Sequence, residues 1–129
     1  MNIEIIDWVD VVMCKEFPDK VFVFGDNLIE KGKGGQAIIR GEANAFGIPT
    51  KRLPSMKEGS FFSDKEDERQ DVLSALRELY RLGKTKTLVM PKDGIGTGRA
   101  MMRERSPLLW AEMCNILEEH FNYKNGEEE

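Results

Sequence analysis

Histidine is nearly absent from this sequence, one residue in 129, and cysteine is scarce, with two. Cys14 and Cys114 stand far apart in apolar contexts, VVMCKEF and WAEMCNIL, and no CxxC pair accompanies them. A zinc site is therefore not expected, and buried thiols in a reducing compartment are. No apolar run approaches the roughly 20 residues of a membrane span. The opening MNIEIIDW has neither the basic region nor the apolar stretch of a secretory signal. The expectation is a cytoplasmic protein with no membrane partner. Positive charge is not in excess either. Lys and Arg number 19 against 23 Asp and Glu, a net charge of −4, which argues against non-specific nucleic-acid binding by the surface as a whole. No internal repeat or linker divides the chain. One domain over residues 1–124 is expected, followed by a flexible acidic tail at 125–129.

What the sequence does have is glycine in two clusters, each behind an apolar run. Val21-Phe-Val-Phe24 suits a buried strand that breaks at Gly25. Asp26 and Asn27 follow at its tip, then a glycine-rich turn (Gly32, Gly34, Gly35) opening QAIIRGEANAF. That segment reads as a helix from about Gln36 to Ala45. The second cluster, Gly94-Ile95-Gly96-Thr97-Gly98, follows a strand over Lys86–Met90. Glycine loops at strand ends let an oxyanion approach backbone N–H groups with no Cβ in the way, and a helix N-terminus behind such a loop adds its dipole.

Elsewhere the pattern alternates strand and helix. Asn2–Ile6 reads as a strand, and Asp7 as the N-cap of a short helix or the start of a second strand. Ile48 to Pro54 is extended because of its prolines. Gly59–Phe62 reads either as a small edge strand or as core packing. Ser63 with Glu66 gives a capping box for a long helix with Val72, Leu73, Leu76, Leu79 and Tyr80 on one stripe, stopped at Gly83. Ser106-Pro107 starts a last amphipathic helix. The expected fold is an α/β sandwich on a mixed, mostly parallel sheet.

Familiar phosphate motifs fit poorly. A Walker A loop has four residues between its first glycine and Gly-Lys, then Ser or Thr. Here Gly25 and Gly32 enclose six, and Gly34 follows Lys33. Gly32 to Ala37 matches G-x-G-x-x-A, but lies well beyond the strand end at Phe24, where the dinucleotide fingerprint belongs.

The paired loops resemble those of macrodomains, the α/β/α modules that bind ADP-ribose. The likeness lies in residues 21–39 and 87–98. FGDN and IPTK further resemble a small, divergent macro-like group of phages and bacteria. The resemblance implies a three-layer sandwich and a ligand that is ADP-ribose or a related nucleotide. It places Asn27 at the distal ribose, Gly34 and Gly35 against that ribose and its phosphate, and Gly94 to Gly98 around the diphosphate. Gly25, Gly32, Gln36, Ile95, Thr97 and Arg99 complete the expected contacts. Catalysis, if present, would fall to Asn27, Asp26 and Asp93, with no metal and no cofactor. The chain departs from the family at three points. No Gly-Asp-Ile-Thr segment is present, and Asp7 is the substitute for its adenine contact. Arg99-Ala-Met-Met102 stands where the family places an aromatic. No adjacent glutamates follow Gly35.

The function expected from this likeness is hydrolysis of an ADP-ribosyl linkage on protein or nucleic acid, or of ADP-ribose 1″-phosphate. A non-catalytic module that recognises or sequesters such nucleotides is the alternative. Asp26 and Asp93 read equally as turn formers, and Lys51 with Arg52 as a phosphate contact or a solvated pair. His120 belongs to the last helix, where its cation suits the dipole.

Overall fold

Alternate side chains of the central strand leave on opposite faces, and both faces are buried. In the computed structural model, which describes residues 1–126, Val21 and Val23 enter one apolar cluster, and Phe22 and Phe24 enter another. The neighbouring strand divides likewise, Leu88 and Met90 to the first cluster and Val89 to the second. The strands are β1 (Ile3–Ile6), β2 (Lys20–Asn27), β3 (Ala45–Lys51) and β4 (Thr87–Pro91). They form one sheet in the order β1-β4-β2-β3, and every strand pair is parallel. Doubly buried parallel strands require continuous apolar runs, which is why VFVF and TLVM are not alternating sequences.

Helix α1 (Val11–Glu16) covers the second cluster through Cys14. The first cluster is covered by α2 (Glu66–Gly83) and α4 (Pro107–Phe121), with the short α3 (Met102–Arg105) leading into α4. Val72, Leu76 and Leu79 of α2 face Leu109, Met113, Leu117 and Phe121 of α4 within that cluster. Among the described residues no helix is long and apolar enough to cross a membrane.

Several expectations are corrected. The sheet is parallel throughout rather than mixed. Of the two readings of Gly59–Phe62, core packing holds and the edge strand does not: Phe61 and Phe62 are buried, Glu58–Ser60 is a 3-10 turn and only Phe61 forms an isolated antiparallel bridge, to Lys51. The central strand does not break at Gly25 but runs to Asn27 against β3, with a bulge after Asp26. The helix expected from Gln36 to Ala45 is a single 3-10 turn, Gly35–Ile39. Ile38, Ile39, Gly41 and Asn44 are weak helix formers. The Asn44 amide donates to the carbonyls of Cys14, Phe17 and Lys20 and delivers the chain into β3. Only a one-turn 3-10 helix, and no α-helix N-terminus, therefore stands behind the first glycine loop among the described residues.

Caps shift as well. Asp10, not Asp7, caps α1 by accepting from Met13 N–H at 2.8 Å. Glu68, fully buried, reaches back to the N–H groups of Ser63 and Lys65 at the start of α2. Asp64 instead caps α4, accepting from Leu108 and Leu109. At the C-terminus, packed structure continues past residue 124: Asn125 is buried and hydrogen-bonded to Ile95. The remainder of the expected acidic tail, 127–129, lies outside the described residues.

Candidate functional site

Pairing between β2 and β4 runs from Lys20–Thr87 to Phe22–Val89 and then stops. β4 ends at Pro91, which has no N–H to continue the ladder. The two strands part, and the chain leaves them toward opposite faces, β2 to the turn carrying Ile39 and β4 to Ala100 and Met102. Diverging connections between adjacent parallel strands open a crevice at their C-terminal ends, the usual ligand position in open α/β sheets. The crevice here has a volume of ≈ 920 Å³ and is lined by both glycine loops. That falls within the range of small-molecule sites.

Gln36 spans the gap where the ladder ends. Its Oε1 accepts from Gly25 N–H at 3.0 Å, and its Nε2 donates to the Gly94 carbonyl at 3.1 Å. One side chain therefore fixes the spacing of the two loops. The loops themselves offer donors: the N–H groups of Gly32, Lys33, Gly34, Gly96 and Thr97 find no acceptor among the described residues.

Asp26 and Asn27 brace the first loop. The Asp26 carboxylate is held by Arg40, whose Nε lies 3.1 and 3.0 Å from its two oxygens and whose Nη2 lies 2.5 Å from Oδ1. Both side chains are largely buried, and the hydrogen bond to Asp26 binds the Arg40 proton still more firmly. Arg40 also donates to the carbonyls of Gly32 and Lys31, so it ties the strand tip to the glycine turn. Asn27 uses both ends of its amide on the Lys31 backbone, donating to its carbonyl at 2.9 Å and accepting from its N–H at 3.2 Å.

Asp93 differs. It is exposed on the opposite wall and its carboxylate makes no hydrogen bond or ion pair among the described residues, while its carbonyl accepts from the Thr97 hydroxyl at 2.8 Å. Gly94, Gly96, Thr97, Gly98 and Arg99 line that wall, whereas Ile95 turns its side chain into the core. His120 packs edge-to-face on Tyr80 at 6.1 Å, outside the crevice.

Lys51 is not a solvated surface residue. It is 7% exposed at the end of β3 and lines the crevice, and burial together with the nearby Arg99 charge lowers its pKa from the usual lysine value. Arg52, its neighbour, is spent on Asp67 and Glu68. At the opposite end Trp8, 67% exposed, stands on the crevice rim beside Asp7. A Trp two residues beyond the strand-like IEII run, after Asp7, was the only sequence signal for it. Arg40 and Asn125, which hold the two loops, carried none.

The crevice thus has a flat aromatic at the β1 end, backbone donors in the middle, and cations at the β3 end. Such an order suits an extended anionic ligand with a planar group. No curated protein and no solved structure matches this chain. Residues 4–116, which include both glycine loops, Gln36 and Lys51, match the family of unknown function DUF7831, and the chain belongs to that family.

Proposed function

We propose that the crevice binds ADP-ribose or a related nucleotide in a macrodomain-like, three-layer α/β/α frame. The observation that carries this is the pairing of two glycine loops, held apart by Gln36, with open backbone N–H groups on both walls. A diphosphate is an anion long enough to take donors from both. Trp8 offers a stacking face to a base, and Asp7 beside it an acceptor for an exocyclic amine. A ribose beyond the diphosphate would then lie toward Asn27 and β3.

The activity we assign is hydrolysis at the distal ribose. Water would attack C1″ as the bond to the leaving group breaks. Asp93, the carboxylate left unpaired on the wall, would take the water proton, and the leaving group would depart with the bonding electron pair, as a stable anion or with a proton returned by Asp93 or solvent. Asp26 and Asn27 contribute by fixing the first loop, since Arg40 and Lys31 occupy their polar atoms. The same occupancy favours the second reading, a binding module without turnover, because it leaves one carboxylate where two were expected.

Titration calorimetry tests the ligand, and release of ADP-ribose from modified protein or DNA tests the chemistry. ADP-ribose should bind at least about tenfold more tightly than AMP. Asp93→Asn should keep that affinity and lose turnover by roughly 10²-fold or more. Equal affinity for both nucleotides would remove the second loop from the site. Binding without turnover in the unmodified protein would select the binding module.

A further inference from the structure

The chain carries more carboxylates than cations, yet at the β3 end of the crevice two cations stand without one. Lys51 Nζ is met by the Ser55 carbonyl at 2.6 Å, the Met56 sulfur at 3.6 Å and the face of Phe61 at 4.8 Å. None of these carries a negative charge. An ammonium has three donors, and one good acceptor satisfies one of them. Arg99 lies on the same crevice and makes no hydrogen bond or ion pair among the described residues. It is close enough for its charge to disfavour the Lys51 ammonium. Of the other arginines, Arg40, Arg52, Arg69, Arg81 and Arg105 each hold a carboxylate, whereas Arg77 and Arg103, away from Lys51, hold none among the described residues.

A buried, uncompensated ammonium beside a second cation is unfavourable unless a ligand brings the counter-charge. We propose that Lys51 and Arg99 form a second anion subsite, which takes a phosphate group carried by the ligand beyond its diphosphate. A phosphate monoester is favoured over a carboxylate because two cations face the site and a phosphate can supply two negative charges. Lys51 closes β3, one strand beyond the glycine loop of β2, so the group it receives belongs to the distal end of the ligand. The nature of that ligand rests on the nucleotide reading above; the anion subsite does not.

The first measurement therefore uses inorganic phosphate alone. Lysine-labelled protein is titrated by NMR, with the Lys51 signal assigned from Lys51→Met, in phosphate and in chloride of equal ionic strength. Phosphate should raise the Lys51 titration midpoint by about one pH unit or more, and an unchanged midpoint would overturn the subsite. The second measurement compares ADP-ribose, ADP-ribose 1″-phosphate and ADP-ribose 2′-phosphate by calorimetry. The 1″-phosphate should add at least about tenfold in affinity, and the 2′-phosphate, on the other ribose, should add nothing. That gain, taken in each variant relative to the same variant's affinity for ADP-ribose, should fall below about threefold in Lys51→Met and in Arg99→Gln. Where ADP-ribose itself binds, a gain that survives both substitutions, or its absence from the unmodified protein, would also overturn the subsite. If phosphate moves the midpoint but no nucleotide binds, the nucleotide reading fails and the anion subsite stands.

Discussion

Gly34 and Gly96 sit on facing walls of the crevice, and substituting them should have opposite consequences. Gly34 has φ −80 and ψ 143, a conformation open to any residue, and a Cβ there would meet nothing within 4 Å. Gly96 has φ +85, and a Cβ there would lie 2.4 Å from Met102 Sδ, inside the core. Glycine at 96 therefore serves packing as much as ligand approach. Gly34→Val should leave stability within about 0.5 kcal/mol of the parent and weaken nucleotide binding at least about tenfold. Gly96→Val should destabilise the fold by about 1–3 kcal/mol through overpacking and backbone strain. Urea unfolding and calorimetry on both variants check this; normal binding by a folded Gly34→Val would take the first loop out of the site.

Among the elements, the segment after α4 has a role that its polar composition conceals. Asn122, in the left-handed conformation, ends the helix, and the chain turns back beneath the second glycine loop. The Tyr123 hydroxyl donates to the Pro91 carbonyl. Asn125 accepts from Ile95 N–H at 2.6 Å and donates to Ile95 O at 2.9 Å. Gly126 packs so closely that a Cβ on Gly94 would lie 2.7 Å from its Cα. Asn125→Ala would strand both polar groups of the buried Ile95 backbone, at a cost of about 1–3 kcal/mol. It should also loosen the loop, so nucleotide affinity falls along with stability. Chemical denaturation showing no loss would mean that the loop holds its shape without this segment.

At the scale of the whole molecule, Lys51 links stability to pH. Its pKa in the folded protein is lowered, chiefly by burial and then by Arg99, from an ordinary value of 10.5. Between the folded and unfolded values the unfolded chain binds more protons, so stability rises with pH across that window. Below the window the cost of the buried charge is fully present. Lys51→Met should accordingly be more stable than the parent at neutral pH in a phosphate-free buffer, with the advantage shrinking as pH approaches 10.5. Tyr123 works in the other direction. Burial first, then the Asp93 and Cys114 charges, raise its pKa above the ordinary 10.0, so its contribution is present below that value and lost as pH rises through the folded one. Both proteins share Tyr123, and it cancels from their difference. A pH-independent difference in urea midpoint would show that Lys51 is not desolvated.

Local sequence was sufficient for the parts of the fold that depend on neighbours along the chain. VFVF and TLVM, short, rich in β-branched or aromatic residues and followed by Gly or Pro, read as buried strands. The stripe from Val72 to Leu79 and the run beginning at Pro107 could only be helices, and both glycine clusters had to follow strand ends. Which strands pair, and which polar groups remain available, depended on contacts distant in sequence. Gln36 meets Gly94 across 58 positions, Asn125 meets Ile95 across 30, and Arg40 captures Asp26 across 14. No spacing rule encodes these meetings, since the intervening helices and turns set them. The segment after Gly35 became a 3-10 turn and an edge strand because β2 had an open side to pair. Lys51 looked like half of a solvated pair, and was buried without its counter-charge only when β3 joined the sheet and Phe61 folded over it. Composition and periodicity set the types of β2, β4 and the two long helices, whereas tertiary packing decided the segment after Gly35, which charges were spent on the fold and which were left facing the crevice.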